Sequence, residues 1–201
     1  MEAFSVCDDH LEAIIEDAER EVLAQLAAEI GELLGVDVAA QVEPDRDQAQ
    51  WDQMLRAMGI SGGEGNEVGE PADPAVARLL PSVSDDEEVA REYRELTQAG
   101  LRQEKADRIA QFWQHMLPEN GPLLRLNLEE AEQFMATLTD IRLVLGERMG
   151  IQTSRDLDSL RLQLTIGELD DQRSGLLQIS DALAWWQESL IAGLQMLADP
   201  S

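Results

Sequence analysis

"LNLEEAEQFMATLTDIRLVLGERMGI", residues 126–151, decides the fold class. Apolar residues at Leu128, Ala131, Met135, Leu138, Ile141 or Arg142, and Leu145 approach a heptad seam, and the spacing predicts a helix from Leu128 to Met149. Leu143 and Val144 fall off the seam. The helix is therefore apolar on more than one side, which places it at the centre of a bundle.

On either side of it the pattern stays helical, with two ambiguous runs. "LLRLN", 123–127, alternates like a short strand. "LRLQLTI", 160–166, alternates too, but "SRDLDSLRLQL" fits a helix capped by Ser154, and helix is the preferred reading. A last helix over 175–198 carries the cleanest seam, with Leu176, Ile179, Leu183, Trp186, Leu190, Leu194 and Leu197. Upstream, Ile109, Phe112, Trp113 and Met116 mark a helix that "PENGP" ends. Val89, Tyr93 and Leu96 mark another, opened by the acidic first turn "DDEE" at 85–88 and broken near "TQAG". "DPAVARLLP" reads as a short helix with Asp73 as N-cap, Pro74 at its first position and Pro81 as its stop. Residues 59–74, "GISGGEGNEVGEPADP", have almost nothing to bury and predict a flexible loop, preceded by a helix from Asp47 to Met58. The first helix is read from Asp9 to Leu34 with Gly35 as its stop. "LEAII" also alternates, so a short strand ending near Asp17, with a shorter helix after it, stays open. The sum is a mainly α fold, a compact bundle of about six to seven helices with room for one or two short strands, in a single domain over residues 1–201.

Forty-one acidic residues against fifteen basic ones, of which only Lys105 is a lysine, give a formal charge of -26. Such a chain repels phosphate backbones, because non-specific nucleic-acid affinity comes from cations that release condensed counterions. Autonomous nucleic-acid binding is not expected. The segment 91–108 is the exception to the acidic surplus, and Arg91, Arg94, Arg102, Lys105 and Arg108 are its candidates for facing an acidic partner. "MEAFSVCDD" lacks a secretory leader and no apolar run approaches the ~18 residues of a membrane span, so a cytoplasmic location is expected. "GELLGV" at 31–36 and "GERMGI" at 146–151 echo one another as helix ends, and chance similarity explains them equally well.

Catalytic signatures are missing: the two histidines, His10 and His115, sit in no recognisable motif, and there is no nucleophile elbow, phosphate loop or H-E-x-x-H. "SVCDDH", 5–10, gathers ligand types for a metal, but adjacent positions on a helix point apart and no second Cys or His pair exists. The stretch is read as a polar lead-in to the first helix, with Asp8 or Asp9 as cap. Neither metal nor cofactor is implied. Cys7, the only cysteine, is a redox candidate with no intrachain partner, and its acidic neighbours disfavour a thiolate. Of the adjacent pair Trp185 and Trp186, the second lies on the seam, and the first either packs on another element or faces a partner.

"DPAVARLLPS", "AREYRELTQAGLRQEKADRI", "LNLEEAEQFMATLTDIRLVLGERMGI" and "LAWWQESL" together resemble an actinobacterial family long catalogued as a domain of unknown function and associated with the oxidative stress regulator AosR. The resemblance covers most of 73–198. It implies a non-enzymatic cytosolic regulator of oxidative-stress and cysteine-biosynthesis genes that contacts an alternative sigma factor and engages DNA only in that complex. Asp140, Arg142, Trp185, Gln187 and Glu188 match the family pattern, and Asp140 and Arg142 are expected to face Gln187 and Glu188 as a buried polar set. The family's redox switch needs a cysteine pair near the N-terminus, whereas here positions 3 and 11 are Ala3 and Leu11. The other reading is a helical adaptor or homodimeric scaffold without a transcriptional role, joined through the 175–198 seam.

Overall fold

The computed structural model describes residues 1–38, 73–81 and 98–198. The helix expected over 47–58, most of the 59–74 loop, the "DDEE" helix start, and Arg91 and Arg94 lie outside the described residues. Among those described, the chain runs β1 (Ser5–Cys7), β2 (His10–Ile14), α1 (Asp17–Leu34), α2 (Pro74–Leu79), α3 (Ala99–His115), a single 3-10 turn (Pro118–Asn120), β3 (Leu123–Leu126), α4 (Leu128–Arg148), α5 (Ser154–Ile166) and α6 (Asp171–Ala198). The mainly α expectation holds, with six α-helices and three short strands among the described residues.

The N-terminus departs from the helix expected over 9–34. "SVCDDH" is a hairpin rather than a helix lead-in: Cys7 pairs with His10 across the two-residue loop Asp8-Asp9. Asp8 takes a positive φ of 52°, which aspartate tolerates better than most side chains. β2 is central, antiparallel to β1 on one side and to β3 on the other, where Leu11 opposes Leu126 and Ala13 opposes Leu124. That inner row is buried, whereas Glu12 and Ile14 alternate onto the outer face. A helix would have spread Leu11, Ala13, Ile14 and Ile15 around an axis, while a strand aims Leu11 and Ala13 at one core. α1 then starts at Asp17, and the Glu19 carboxylate accepts from the Glu16 N–H at 3.0 Å as in a capping box.

α4 is the central helix. It packs on α6, on α2 and on α3, and α1 packs on α3. Asn127 caps it, accepting from the Glu130 N–H at 3.0 Å while Glu130 accepts from the Asn127 N–H at 2.9 Å. Its buried row is Ala131, Phe134, Leu138, Ile141, Val144 and Leu145, so the heptad reading misplaced Leu128 and Met135, which sit at the rim. Phe134 instead joins an aromatic cluster: its ring lies 4.5 Å from Phe112 and 5.3 Å from Trp186, and Trp186 stacks on Phe4 at 5.0 Å. The indole N–H of Trp186 donates to the Glu2 carbonyl at 3.1 Å, which ties the N-terminal strand to the last helix.

Asp73 caps α2 as expected, accepting from the Ala75 N–H at 2.8 Å. It also takes both guanidinium branches of Arg148, at 2.8 and 2.6 Å, fastening α2 to the end of α4. α5 is helical, as preferred, with Thr153 rather than Ser154 as its N-cap. The echo between 31–36 and 146–151 is a shared helix stop: the Val36 N–H reaches the Gly31 carbonyl and the Ile151 N–H the Gly146 carbonyl, both at 2.8 Å. Gly167 ends α5 the same way without the sequence match, so local C-cap chemistry explains the echo and no repeat is needed.

Candidate functional site

A polar seam crosses the three central helices. α3 contributes Lys105 and Arg108, α4 contributes Thr139, Asp140 and Arg142, and α6 contributes Gln187. Lys105 Nζ donates to Asp140 Oδ1 at 2.5 Å, and Arg108 lies 3.5 Å from the other carboxylate oxygen while its Nη1 holds Glu104 at 2.8 Å. Lys105 and Arg108, expected to face a partner, are thus turned inward by Asp140; the Lys105 side chain is 13% exposed. Arg102 is half-buried and makes no ion pair among the described residues.

On the opposite side of α4, Arg142 Nη1 donates to Gln187 Oε1 at 2.6 Å. The Gln187 amide nitrogen donates in turn to Thr139 Oγ1 at 2.6 Å and to the Met135 carbonyl at 3.2 Å. Arg142 and Gln187 therefore meet as expected. Asp140 and Glu188 do not join them: two residues put Asp140 about 200° around α4 from Arg142, where it faces α3, and one step of about 100° from Gln187 leaves Glu188 exposed on α6. Trp186 is fully buried and Trp185 is exposed. Leu176, Leu183, Trp186 and Leu190 of the α6 seam are buried within their own chain.

Cys7 lies on the outer face of the sheet with His10, Glu12 and Arg125. Glu12 accepts from Arg125 Nε at 2.6 Å and pairs with His10 Nε2 at 3.0 Å. Hydrogen bonds from His10 and then Arg125 hold the Glu12 carboxyl down at about 2. The same contact raises the His10 pKa, and the hydrogen bond to Glu12 pushes the Cys7 thiol up, as does its partial desolvation. A thiol so placed is a poor nucleophile. Leu11 is fully buried on the opposite face of the hairpin from Cys7.

Sequence reasoning missed Arg20. It is 1% exposed, donates from Nη1 to the His115 carbonyl at 2.6 Å, and leaves Nε and Nη2 without a hydrogen-bond partner among the described residues. Burial lowers its pKa, and burial also lowers that of His115. Its place at the head of the helical row Leu23, Ala27, Ile30 and Leu34 of α1 was the only signal. Among the described residues no set of three or more His, Cys, Asp or Glu side chains is grouped to hold a metal ion, and no helix is long and apolar enough to cross a membrane. The seam is a set of contacts that fixes how three helices dock, with Arg108 Nε and Arg142 Nε buried and without a hydrogen-bond partner among the described residues.

A family model for a domain of unknown function, DUF2017, matches residues 1–194. The chain belongs to the DUF2017 family. No curated protein and no solved structure matches it. The DUF2017 match spans the hairpin, the polar seam and most of α6, so all the features above lie within the family domain.

Proposed function

We propose that this DUF2017 protein is a non-enzymatic regulator of oxidative-stress and cysteine-biosynthesis genes, working by contact with an alternative sigma factor. DNA is engaged only through that complex. The resemblance to the AosR-associated family suggests the process. The observation that carries the interaction class is the fate of the cations. Arg78, Lys105, Arg108, Arg125, Arg148 and Arg161 are each held by a carboxylate of the same chain, so the surplus of 41 acids over 15 bases is left to dominate the surface. A molecule of this charge meets a basic protein surface far more readily than a phosphate backbone.

A pull-down of the tagged protein from cells with and without oxidative challenge, comparing wild type with Cys7→Ser, tests the reading. Recovery of a sigma factor supports it. Recovery that depends on Cys7 identifies an intermolecular thiol as the sensor. Recovery of no transcription component under either condition removes the regulator reading and favours the adaptor.

A further inference from the structure

α6 is 28 residues long and its inner side is consumed by the core, but its outer side is not polar throughout. Trp185 is 48% exposed and Met196 63%. At 100° per residue, Trp185, Ala192 and Met196 lie within about 40° of one another and form a stripe about 16 Å long. Ser189 sits on the same stripe, and its Oγ accepts from the Phe4 N–H at 3.2 Å, which brings the start of β1 alongside. The next residues of that edge strand leave Val6 36% exposed beside α6. An exposed tryptophan in line with an exposed methionine is the composition of an interface centre.

The charge around the stripe names its occupant. Residues 1–9 and 182–198 contribute Glu2, Asp8, Asp9 and Glu188, all exposed, and no lysine or arginine. A second copy of the chain would bring those carboxylates against their own images at a formal charge of -26 each. A partner strand has little to pair with. β1 is three residues long, and the Phe4 N–H is already used by Ser189. A helix needs no backbone edge and can lay apolar side chains at steps of three and four along a groove.

We propose that the outer face of α6, from Trp185 to Met196 with Val6 at its side, docks a basic amphipathic helix of a partner protein. The proposal deepens the regulator reading and rests on it for the identity of the partner, not for the surface. Trp185 seats in the apolar row of the incoming helix, and Glu188, Glu2 and the Asp8-Asp9 turn flank it with negative charge.

Two synthetic helical peptides of about 14 residues, with the same leucine stripe and either lysines or glutamates beside it, are titrated calorimetrically against the full chain. The expected result is saturable binding of the lysine peptide only, weakened about tenfold or more by Trp185→Ala and likewise by Met196→Ala. Glu188→Lys weakens it further, as does raising salt from about 50 to about 300 mM. All three side chains are exposed, and circular dichroism confirms that the variants stay folded. No binding, binding unchanged in Trp185→Ala, or equal binding of the glutamate peptide overturns the proposal. So does a concentration-dependent dimer in sedimentation that Trp185→Ala dissolves, since the face would then belong to a second copy. If wild type and Trp185→Ala capture a sigma factor alike, this surface is wrong and the regulator reading stands. If the peptide binds as expected but no sigma factor is captured, the surface stands and the regulator reading falls.

Discussion

Replacing Asp140 by alanine tests the polar seam where it is most tightly drawn. Asp140 is 7% exposed and neutralises Lys105 at 2.5 Å, with Arg108 at 3.5 Å. Loss of the short charge-assisted bond costs about 1.5–3 kcal/mol. The longer contact to Arg108, which keeps Glu104, adds about 0.5 kcal/mol. Stranding two cations at 13% and 19% side-chain exposure costs less than full burial, because both stems can lift their heads toward water. The sum is about 3 kcal/mol, or a fall in Tm of about 6–12 °C for a chain of this size. Urea denaturation followed by circular dichroism gives the number directly. Adding Lys105→Met removes the stranded ammonium and should recover about 1 kcal/mol or more, measured as the coupling in a double-mutant cycle. A change below about 0.5 kcal/mol for Asp140→Ala, with no coupling to Lys105, would refute the claim that the pair orders the α3–α4 interface.

Three further outcomes follow from particular contacts. Gly193 meets the sheet so closely that a Cβ there would lie 2.6 Å from Leu11 Cδ2, so Gly193→Ala should destabilise by about 1–3 kcal/mol in denaturant titrations, and Leu11→Val should return part of the loss. Arg20 carries a buried charge with two nitrogens, Nε and Nη2, unpartnered among the described residues, so Arg20→Met should leave the unfolding free energy unchanged or raise it by about 1 kcal/mol, and a loss above about 2 kcal/mol would contradict that reading. The outer-face cluster gives a pH window. Glu12, depressed from 4.5 to about 2, contributes fully above 4.5 and loses its contribution as pH falls toward 2; His10, raised from 6.5, contributes fully below 6.5 and loses it as pH rises through its folded value. Protection factors of the β1–β2 hairpin amides, corrected for intrinsic exchange at each pH, should therefore be highest between these limits, and Glu12→Gln should flatten the profile.

Much of the fold was legible because helix stops and starts are local. Gly35, at positive φ, and the Asp73-Pro74 start both follow from residues within one turn. The alternation of 123–126 suggested a strand without deciding it, and the structure makes it one. "LEAII" could not be decided in this way. Its apolar residues satisfy both periods, and what selects the strand is β3, which pairs Glu12 with Arg125 and Leu11 with Leu126 from more than a hundred residues away. Once one neighbour is paired, the "SVCDD" stretch folds back as the third strand and cannot cap a helix.

The sequence by itself determined the helical class, the stops between helices and the acidic excess, because propensity, capping and net charge depend on residue identity and near neighbours. Only the tertiary structure decided which partner each polar side chain takes. Asp140 turns to Lys105 rather than Gln187, Arg142 takes Gln187, and Arg20 is buried on the His115 carbonyl, because those choices depend on which helix faces lie within hydrogen-bond reach. The same docking separates Trp186, sealed against Phe4 and Phe134, from Trp185, left in water one residue away. A step of 100° along a helix is the physical difference between a core anchor and a docking surface.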